Sequence, residues 1–492
     1  MHEFDVLPAT AVLLAAASSL YILYIIYTGL TGPLAHLPGP IWTKFTGLQA
    51  AYHIVRGTRM YYLHDLHKKY GPIVRISPTE ASVSDPEAAK EIHKARSGYT
   101  KTKFYENFCF SPTQTIFSTT DVRYHAKWRK LLAHSVSESN LKTYYPVVQA
   151  KVDLLISQIK KERAAQGYVD LLKWLNYYTI DVMGELSFGH CFGMLDRGKE
   201  SQYVKDSRDH VPLNVLRVAL TSRSHPDTLN WPIWPYTEIK RAGIRLIRDA
   251  TNCIDAYRKY VAETDSPRPM LLEKVLGLKG QEASVPEAEI VSHAQILMLA
   301  GTDTIAITLL YMLWAIYGHR EDLSRLLKEI DEANLPAAPD NEEIRKLPYL
   351  DNVLTETLRL YGSAPGPLPR CVPEGGRTLC GYHVPEGLTV SPVGYCVHRD
   401  ETVFPDPETW NPDRWSNASK EMKEADFSFG GGTRICLGMH LAKMQIRMAT
   451  VAILREFRDA ELAYGVNGFQ PEDMRQFDAV AAKPWGEQML IR

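Results

Sequence analysis

From Ser284 to Gly318 the chain offers a helix and nothing that breaks it. Ser284-Val285-Pro286-Glu287 reads as a capping box with proline in the first turn, the pattern that satisfies the free N–H groups of a helix start. At 1.5 Å per residue the rod is on the order of 45 Å long. Its middle, Ile296 to Leu313, is almost wholly apolar, so it is expected to be buried on every side. A helix that long and that buried demands a large, mainly helical domain around it, and the polar residues inside it need a reason.

The rest of the chain fits such a domain. Hydrophobic residues make up 45% and charged residues 23% of 492, which excludes a disordered, collagen-like or polytopic membrane protein. No repeat or long Gly/Ser linker divides residues 41–492, so one domain is expected. β-like runs near Ile73–Ile76, Ala81–Ser84 and Gly381–Val393 add small sheets to a mainly α fold. Between 206 and 236, an apolar segment (Val211–Leu220) and Trp231-Pro232-Ile233-Trp234-Pro235 fit a lid touching a membrane surface and an irregular loop with buried aromatics equally well.

The amino terminus is read separately. No residue from Val6 to Ala35 carries a formal charge, and a bilayer span needs about 20 apolar residues. Glu3 and Asp5 stand where a cleaved signal would place Lys or Arg, so residues 1–35 are expected to be a single-span anchor and 36–492 the folded domain. Lys44, Arg56, Arg59, Lys68 and Lys69 follow the span, which puts the domain in the cytosol, with Leu37-Pro38-Gly39-Pro40 as the linker. The seven cysteines include no C-x-x-C spacing, against both a disulfide framework and a structural zinc site. Lys plus Arg (56) balances Asp plus Glu (57), so nothing in the charge favours nucleic acid.

Near the carboxyl end, Phe429-Gly430-Gly431-Gly432-Thr433-Arg434-Ile435-Cys436-Leu437-Gly438 places a cysteine between a glycine-rich turn and a periodic helix. A helix start stabilises a thiolate, and the glycines leave room for a flat ligand against the backbone. Local physics leaves both a metal-ligating thiolate and a buried core thiol open. The segment matches F-x-x-G-x-R-x-C-x-G at every fixed position, and so resembles the haem-binding signature of the cytochrome P-450 superfamily.

That resemblance extends across the chain and implies a haem-thiolate monooxygenase, of a type found in filamentous fungi. Ala300-Gly301-Thr302-Asp303-Thr304 resembles the oxygen-activation motif, implying Thr304 and Asp303 as proton-handling residues and Gly301 as part of the notch beside the iron. Elementary helix chemistry agrees, since a Thr304 hydroxyl turned back to the Ala300 carbonyl would loosen the ladder there. Glu356-Thr357-Leu358-Arg359 with Pro412-Asp413-Arg414-Trp415 resembles the family's structural triad of Glu356, Arg359 and Arg414. Haem b (iron protoporphyrin IX), held by Cys436 as axial iron ligand, has two propionates that need cationic donors. The resemblance implies His125, Arg129, Arg370 and Arg434 for them, with Phe429 and Gly430 lining the ring. His125 and Arg129 are an H-x-x-x-R form of the commoner W-x-x-x-R, and Trp128 is displaced by three positions from the place of the aromatic.

No Walker A, G-x-S-x-G, H-E-x-x-H or dinucleotide-binding G-x-G-x-x-G opens a helix here, so electrons must come from another protein. The resemblance implies a membrane-bound NADPH–cytochrome P-450 reductase, with cytochrome b5 as a second donor. Lys127, Lys130, Lys443 and Arg447 form a candidate docking patch. The expected partner on the other side is a lipophilic small molecule, hydroxylated or epoxidised in secondary metabolism at the endoplasmic reticulum membrane. A peroxide-type or rearrangement enzyme, and a non-catalytic haem carrier or sensor, are the rival readings.

Overall fold

The computed structural model describes residues 6–108, 113–220, 236–278, 285–479 and 481–492. The helices that position the site are α1 (Val6–Thr31), α2 (Leu48–Val55), α3 (Arg59–Tyr70), α4 (Pro86–His93), α5 (Val122–Ala133), α6 (Tyr145–Gln166), α7 (Leu171–Phe188), α8 (Gln202–Leu220), α9 (Tyr236–Glu263), α10 (Glu287–Gly318), α11 (Pro348–Tyr361) and α12 (Met439–Glu456). Their starts are written in the sequence. Asp85 accepts from Ala88 N at 2.7 Å, Asp121 from Arg123 N at 2.7 Å, and Asp170 from Leu172 N at 3.0 Å, each satisfying an amide that the helix leaves free.

The long helix α10 is the axis of the fold. It spans 32 residues, about 48 Å, and packs against α7, α11 and α12. Helix formation starts at Glu287, with Pro286 standing just before it in an extended conformation and no side-chain cap. Ser284, the first residue of the expected capping box, lies outside the described residues. All-round burial holds from Ile305 to Leu313 but fails over Leu299–Thr304, where Ala300 and Asp303 are exposed.

The β-structure is small, as patterned. Strands β1 (Ile73–Ser77), β2 (Glu80–Val83), β3 (Thr100–Lys101), β4 (Arg370–Cys371) and β5 (Thr389–Pro392) form one sheet in the order β1-β2-β5-β4-β3. Only β2 and β5 run parallel. In the register of β3 and β4, Lys101 stands opposite Arg370. A separate hairpin, β6 (Gln476–Ala479) with β7 (Ala481–Pro484), pairs Asp478 with Ala482. It is tied to the segment after α11 by Ala482 N–H to Ser363 O at 2.8 Å.

α1 is apolar enough and long enough to span a membrane from Thr10 to Thr31, and stands clear of the domain; α10 passes the same test by composition but is a core helix. Packing begins inside the expected anchor segment. Leu34 and Leu37 are buried in a core cluster with Ile73 and Val390, and the buried Arg75 donates to the carbonyls of Leu34, Ala35, Leu37 and Pro40. The Pro-Gly segment is thus docked on β1 instead of swinging free. Val211–Leu220 belongs to α8, whereas Trp231–Pro235 lies outside the described residues.

Candidate functional site

The cysteine loop is built by backbone bonds that bend it back on itself. Cys436 N donates to Phe429 O at 2.8 Å, and Gly430 N to Phe427 O at 2.9 Å. At Gly432 the turn takes φ +60°, and a Cβ there would fall 1.7 Å from His93 O, so the loop and α4 can touch only through glycine. α12 starts at Met439, so Cys436 lies ahead of its first turn; the donor reaching its sulfur is the Gly438 backbone N–H. Burial pushes the thiol pKa up, against the pull of that N–H and of Arg129. A coordinated metal would deprotonate it outright.

Cys436 is exposed to a solvent-sized sphere although protein surrounds it almost completely. Asp303 has the same character. Both therefore line interior space, one on the loop before α12, the other on α10, which packs against α12. Among the described residues no group of three or more His, Cys, Asp or Glu gathers to hold a bare ion, so Cys436 would be a lone protein ligand.

Around the loop stands a cluster of cations. Arg129 Nη1 donates to Ile435 O at 2.9 Å, and Arg434 Nη1 to Thr119 O at 3.5 Å. Arg370 Nη1 donates to Tyr105 Oη at 2.7 Å and Pro369 O at 2.9 Å. Lys101 Nζ donates to Phe117 O and lies 4.0 Å from the centre of the Tyr105 ring. None of these four has a carboxylate at ion-pair distance among the described residues. Their electrostatics record the lack. Burial, then Arg370 and Arg434, drive the Lys101 pKa far down; burial and Arg370 take Arg434 to about 10. His125 falls to about 3 through burial, Arg434, Arg129 and Lys101, and His93 to about 4 through burial and Arg370. Like charges buried together, with Lys101 and Arg370 opposed across a strand pair, repel unless an anion lies between them. A flat group carrying two carboxylates and presenting a metal to Cys436 fits this set.

On α10, Thr304 Oγ1 donates to Ala300 O at 2.6 Å and Thr308 Oγ1 to Thr304 O at 2.7 Å. Burial raises the Asp303 pKa, countered by the charge of Lys483 on β7. A Cβ on Gly301 would sit 2.5 Å from Met183 Cε, so its missing side chain makes room for α7. Gly430, at φ +70°, has only Leu368 Cδ1 near its absent Cβ, at 3.7 Å. The Phe429 ring lies 5.5 Å from Lys443 Nζ.

The triad assembles in full. Arg359 binds Glu356 in two bonds of 2.9 and 2.8 Å, Arg414 Nε donates to Glu356 Oε1 at 3.0 Å, and Trp415 Nε1 to Oε2 at 2.9 Å. Glu356 is 0% exposed and Arg359 1%. Burial opposes ionisation of Glu356, yet the bonds and charges of Arg359 and Arg414 bring its pKa below the ordinary value. The remaining Arg359 donors go to His398 O and Pro407 O, at 2.8 and 2.7 Å.

Three further residues escaped the sequence reading. His398 accepts from Phe427 N at 2.9 Å through Nε2 and donates from Nδ1 to Arg359 O at 3.1 Å, joining triad to cysteine loop. Lys101 and Tyr105 complete the cation cluster, and only the pairing of β3 with β4 could have announced them. Trp128 points away from the cluster: it stacks on His293 at 3.3 Å and donates to Glu289 Oε2 at 2.9 Å, tying α5 to α10. Of the docking patch, Lys127 and Lys130 are exposed, but Arg447 is buried against Asp351 at 2.8 Å and does not belong to it.

Comparison with known proteins agrees with this arrangement. The family model of cytochrome P-450 matches residues 36–463. The chain is 39% identical over 468 residues to the cytochrome P-450 monooxygenase tazI of Aspergillus terreus, covering 95% of each chain. It is 37% identical over 470 residues to the cytochrome P-450 monooxygenase orf2 of Aspergillus niger, covering 95% of this chain and 94% of that one. Among solved structures, retinoic acid-bound cyanobacterial CYP120A1 shares the fold, with a TM-score of 0.69 and 21% identity over 87% of this chain and 92% of that one.

Proposed function

The chain belongs to the cytochrome P-450 family, whose cofactor is a haem with a cysteine thiolate ligand, and from that premise we propose a membrane-anchored monooxygenase that hydroxylates or epoxidises a lipophilic small molecule. The observation that carries the reading is the cluster of Lys101, Arg129, Arg370 and Arg434 around the loop of Cys436, none of them in an ion pair among the described residues. In this reading Cys436 holds the iron of haem b, and the four cations with His125 hold its propionates. The bound haem supplies oxygen activation, with the thiolate pushing electron density toward O–O cleavage.

The chain's own residues then divide the labour. Gly438 N–H and Arg129 stabilise charge on the sulfur. Asp303, enclosed yet reached by interior space, passes protons inward, and Thr304 holds the receiving position on the side where α10 is not packed. Glu356, Arg359 and Arg414, through His398, hold the loop in register. Segment 363–368, strands β6 and β7 and residues 97–108 and 113–120 are assigned to the substrate wall. α1 is assigned as a single-span anchor in the endoplasmic reticulum, leaving the domain in the cytosol for a NADPH-dependent reductase, with cytochrome b5 as a second donor, to meet Lys127 and Lys130. The fungal relatives favour secondary metabolism.

The test is product mass after incubation with reductase, NADPH, oxygen and panels of terpenoids, polyketides and alkaloids, beside Thr304→Ala. One added oxygen, dependent on reductase and weakened in the variant, is expected. Products that form without reductase and survive the substitution would move the chain to peroxide-type chemistry.

A further inference from the structure

Away from the haem loop, a lysine and a cysteine 40 positions apart in sequence meet side chain to side chain. Lys151 Nζ on α6 donates to Cys191 Sγ, just past the end of α7, at 3.1 Å. A second donor, the Gly193 N–H, reaches the same sulfur at 3.4 Å. Both residues are half-buried, so the pair is not sealed from solvent.

Neither side chain is free to swing away. Lys151 Nζ is also paired with Glu185 Oε2 at 3.2 Å, and the other oxygen of that buried carboxylate takes Arg268 Nη1 at 3.0 Å. Cys191 sits in a turn pinned on both flanks. Before it, Gly189 N–H donates to Glu185 O at 3.0 Å; after it, Met194 and Leu195 N–H donate to the buried Asp181 carboxylate at 3.1 and 2.9 Å. The contact is therefore preorganised, with an ammonium proton aimed at sulfur. Other thiols lack this partner: burial pushes Cys253 up to about 11 and Cys380 up to about 12, and no cation donates to either sulfur among the described residues.

We propose that Lys151 and Cys191 are the two halves of a peroxide-sensitive cross-link, an S–N bond that closes between the side chains when the sulfur is oxidised. With the pair written as ammonium and thiolate, the sulfur attacks one oxygen of hydrogen peroxide and the O–O bond breaks. The departing hydroxide takes a proton from Lys151 Nζ, which leaves a sulfenic acid, a neutral amine and one water. The amine then attacks the sulfenic sulfur, the S–O bond breaks, and the hydroxyl departs with an amine proton as a second water. Sulfur loses two electrons and peroxide gains them, so ammonium, thiolate and peroxide become one S–NH link and two waters. Burial opposes the Lys151 ammonium, but Cys191 and Glu185 outweigh it and raise its pKa; oxidation removes one of these two supports and eases release of the amine. The link ties α6 to the turn after α7, and α6 packs against α12, the helix that follows the cysteine loop.

The test is treatment of the haem-loaded full-length chain with hydrogen peroxide, followed by blocking of free thiols with iodoacetamide and peptide mass spectrometry. Wild type should yield the peptides bearing residues 151 and 191 joined, lighter than their sum by two hydrogens, and separated again by dithiothreitol. Lys151→Arg keeps a cation beside Glu185, but its guanidinium does not close the bond. Oxidation of that variant should stop at a sulfenic acid on Cys191, which dimedone traps, and Cys191→Ser should give neither product. In wild type Cys191 should be modified at least about tenfold faster than Cys253 or Cys380. A wild-type Cys191 that stays unmodified or stops at the sulfenic acid, joined peptides that carry an extra oxygen, or equal rates at the three cysteines would overturn the link. None of these readouts depends on turnover, so that result would leave the monooxygenase reading standing.

Discussion

Two groups of buried and half-buried cations stand near the cysteine loop, and they are built on opposite principles. Around Glu356, the bidentate Arg359 and Arg414 share one carboxylate, and their remaining N–H groups end on main-chain carbonyls of residues 398–409. Around Cys436, Lys101, Arg370 and Arg434 repel one another, and none of them or Arg129 has a carboxylate at ion-pair distance among the described residues, Asp121 acting on Arg434 only from farther off. Buried charge costs several kcal/mol per ion unless paired. The first group is complete without help and serves as a clamp. The second is complete only with a dianion, and that incompleteness is what marks a binding site.

The comparison breaks most visibly if the clamp is opened. Glu356→Ala leaves two guanidinium groups buried and unpaired, a loss of roughly 3–5 kcal/mol; thermal unfolding and haem content should collapse together, and a folded, haem-loaded variant would refute the clamp. Cys436→Ser should keep the fold, as judged by far-ultraviolet circular dichroism, yet lose the thiolate signature in the carbon monoxide difference spectrum.

A sharper test reverses sign. Lys101→Met relieves repulsion in the haem-free chain and should stabilise it by about 1 kcal/mol, while weakening haem retention about tenfold. The clamp offers no position where a substitution would do both. Chemical denaturation of haem-free chain and haem transfer to apomyoglobin measure the two halves.

The smallest effect is in pH. His125 and His93, held at about 3 and about 4 in the folded haem-free chain, ionise near 6.5 when unfolded. The unfolded chain therefore binds more protons between those values, and stability present above about 6.5 is lost as the pH falls toward 4. A dianion in the cluster raises both folded values and shrinks the loss. His67, His293 and His398, each at about 4, lie outside the cluster and contribute equally with or without haem. The haem-free chain should thus lose stability more steeply over that range, and parallel slopes would argue against an anion between these cations.

Much of this was legible in one dimension because it is local. The apolar period of α10 and the glycines before Cys436 act within a few residues of themselves, so the sequence announces a mainly helical fold, a candidate span at α1 and a candidate metal-ligating thiol. The bond from Thr304 to Ala300 closes within one helical turn and was readable for the same reason. At Gly301 a missing side chain says only that something comes close, and that Met183 of another helix is among its neighbours was not readable from the sequence.

What only the tertiary structure decided is long-range. Lys101 and Arg370 face each other because β3 pairs with β4, and Arg129 reaches the Ile435 carbonyl because α5 lies beside the cysteine loop. Those residues are separated by hundreds of positions, so no local periodicity records their meeting. Electrostatics depends on the distances and burial that folding creates, and it was folding that turned scattered surface-type charges into a closed clamp and an open cradle.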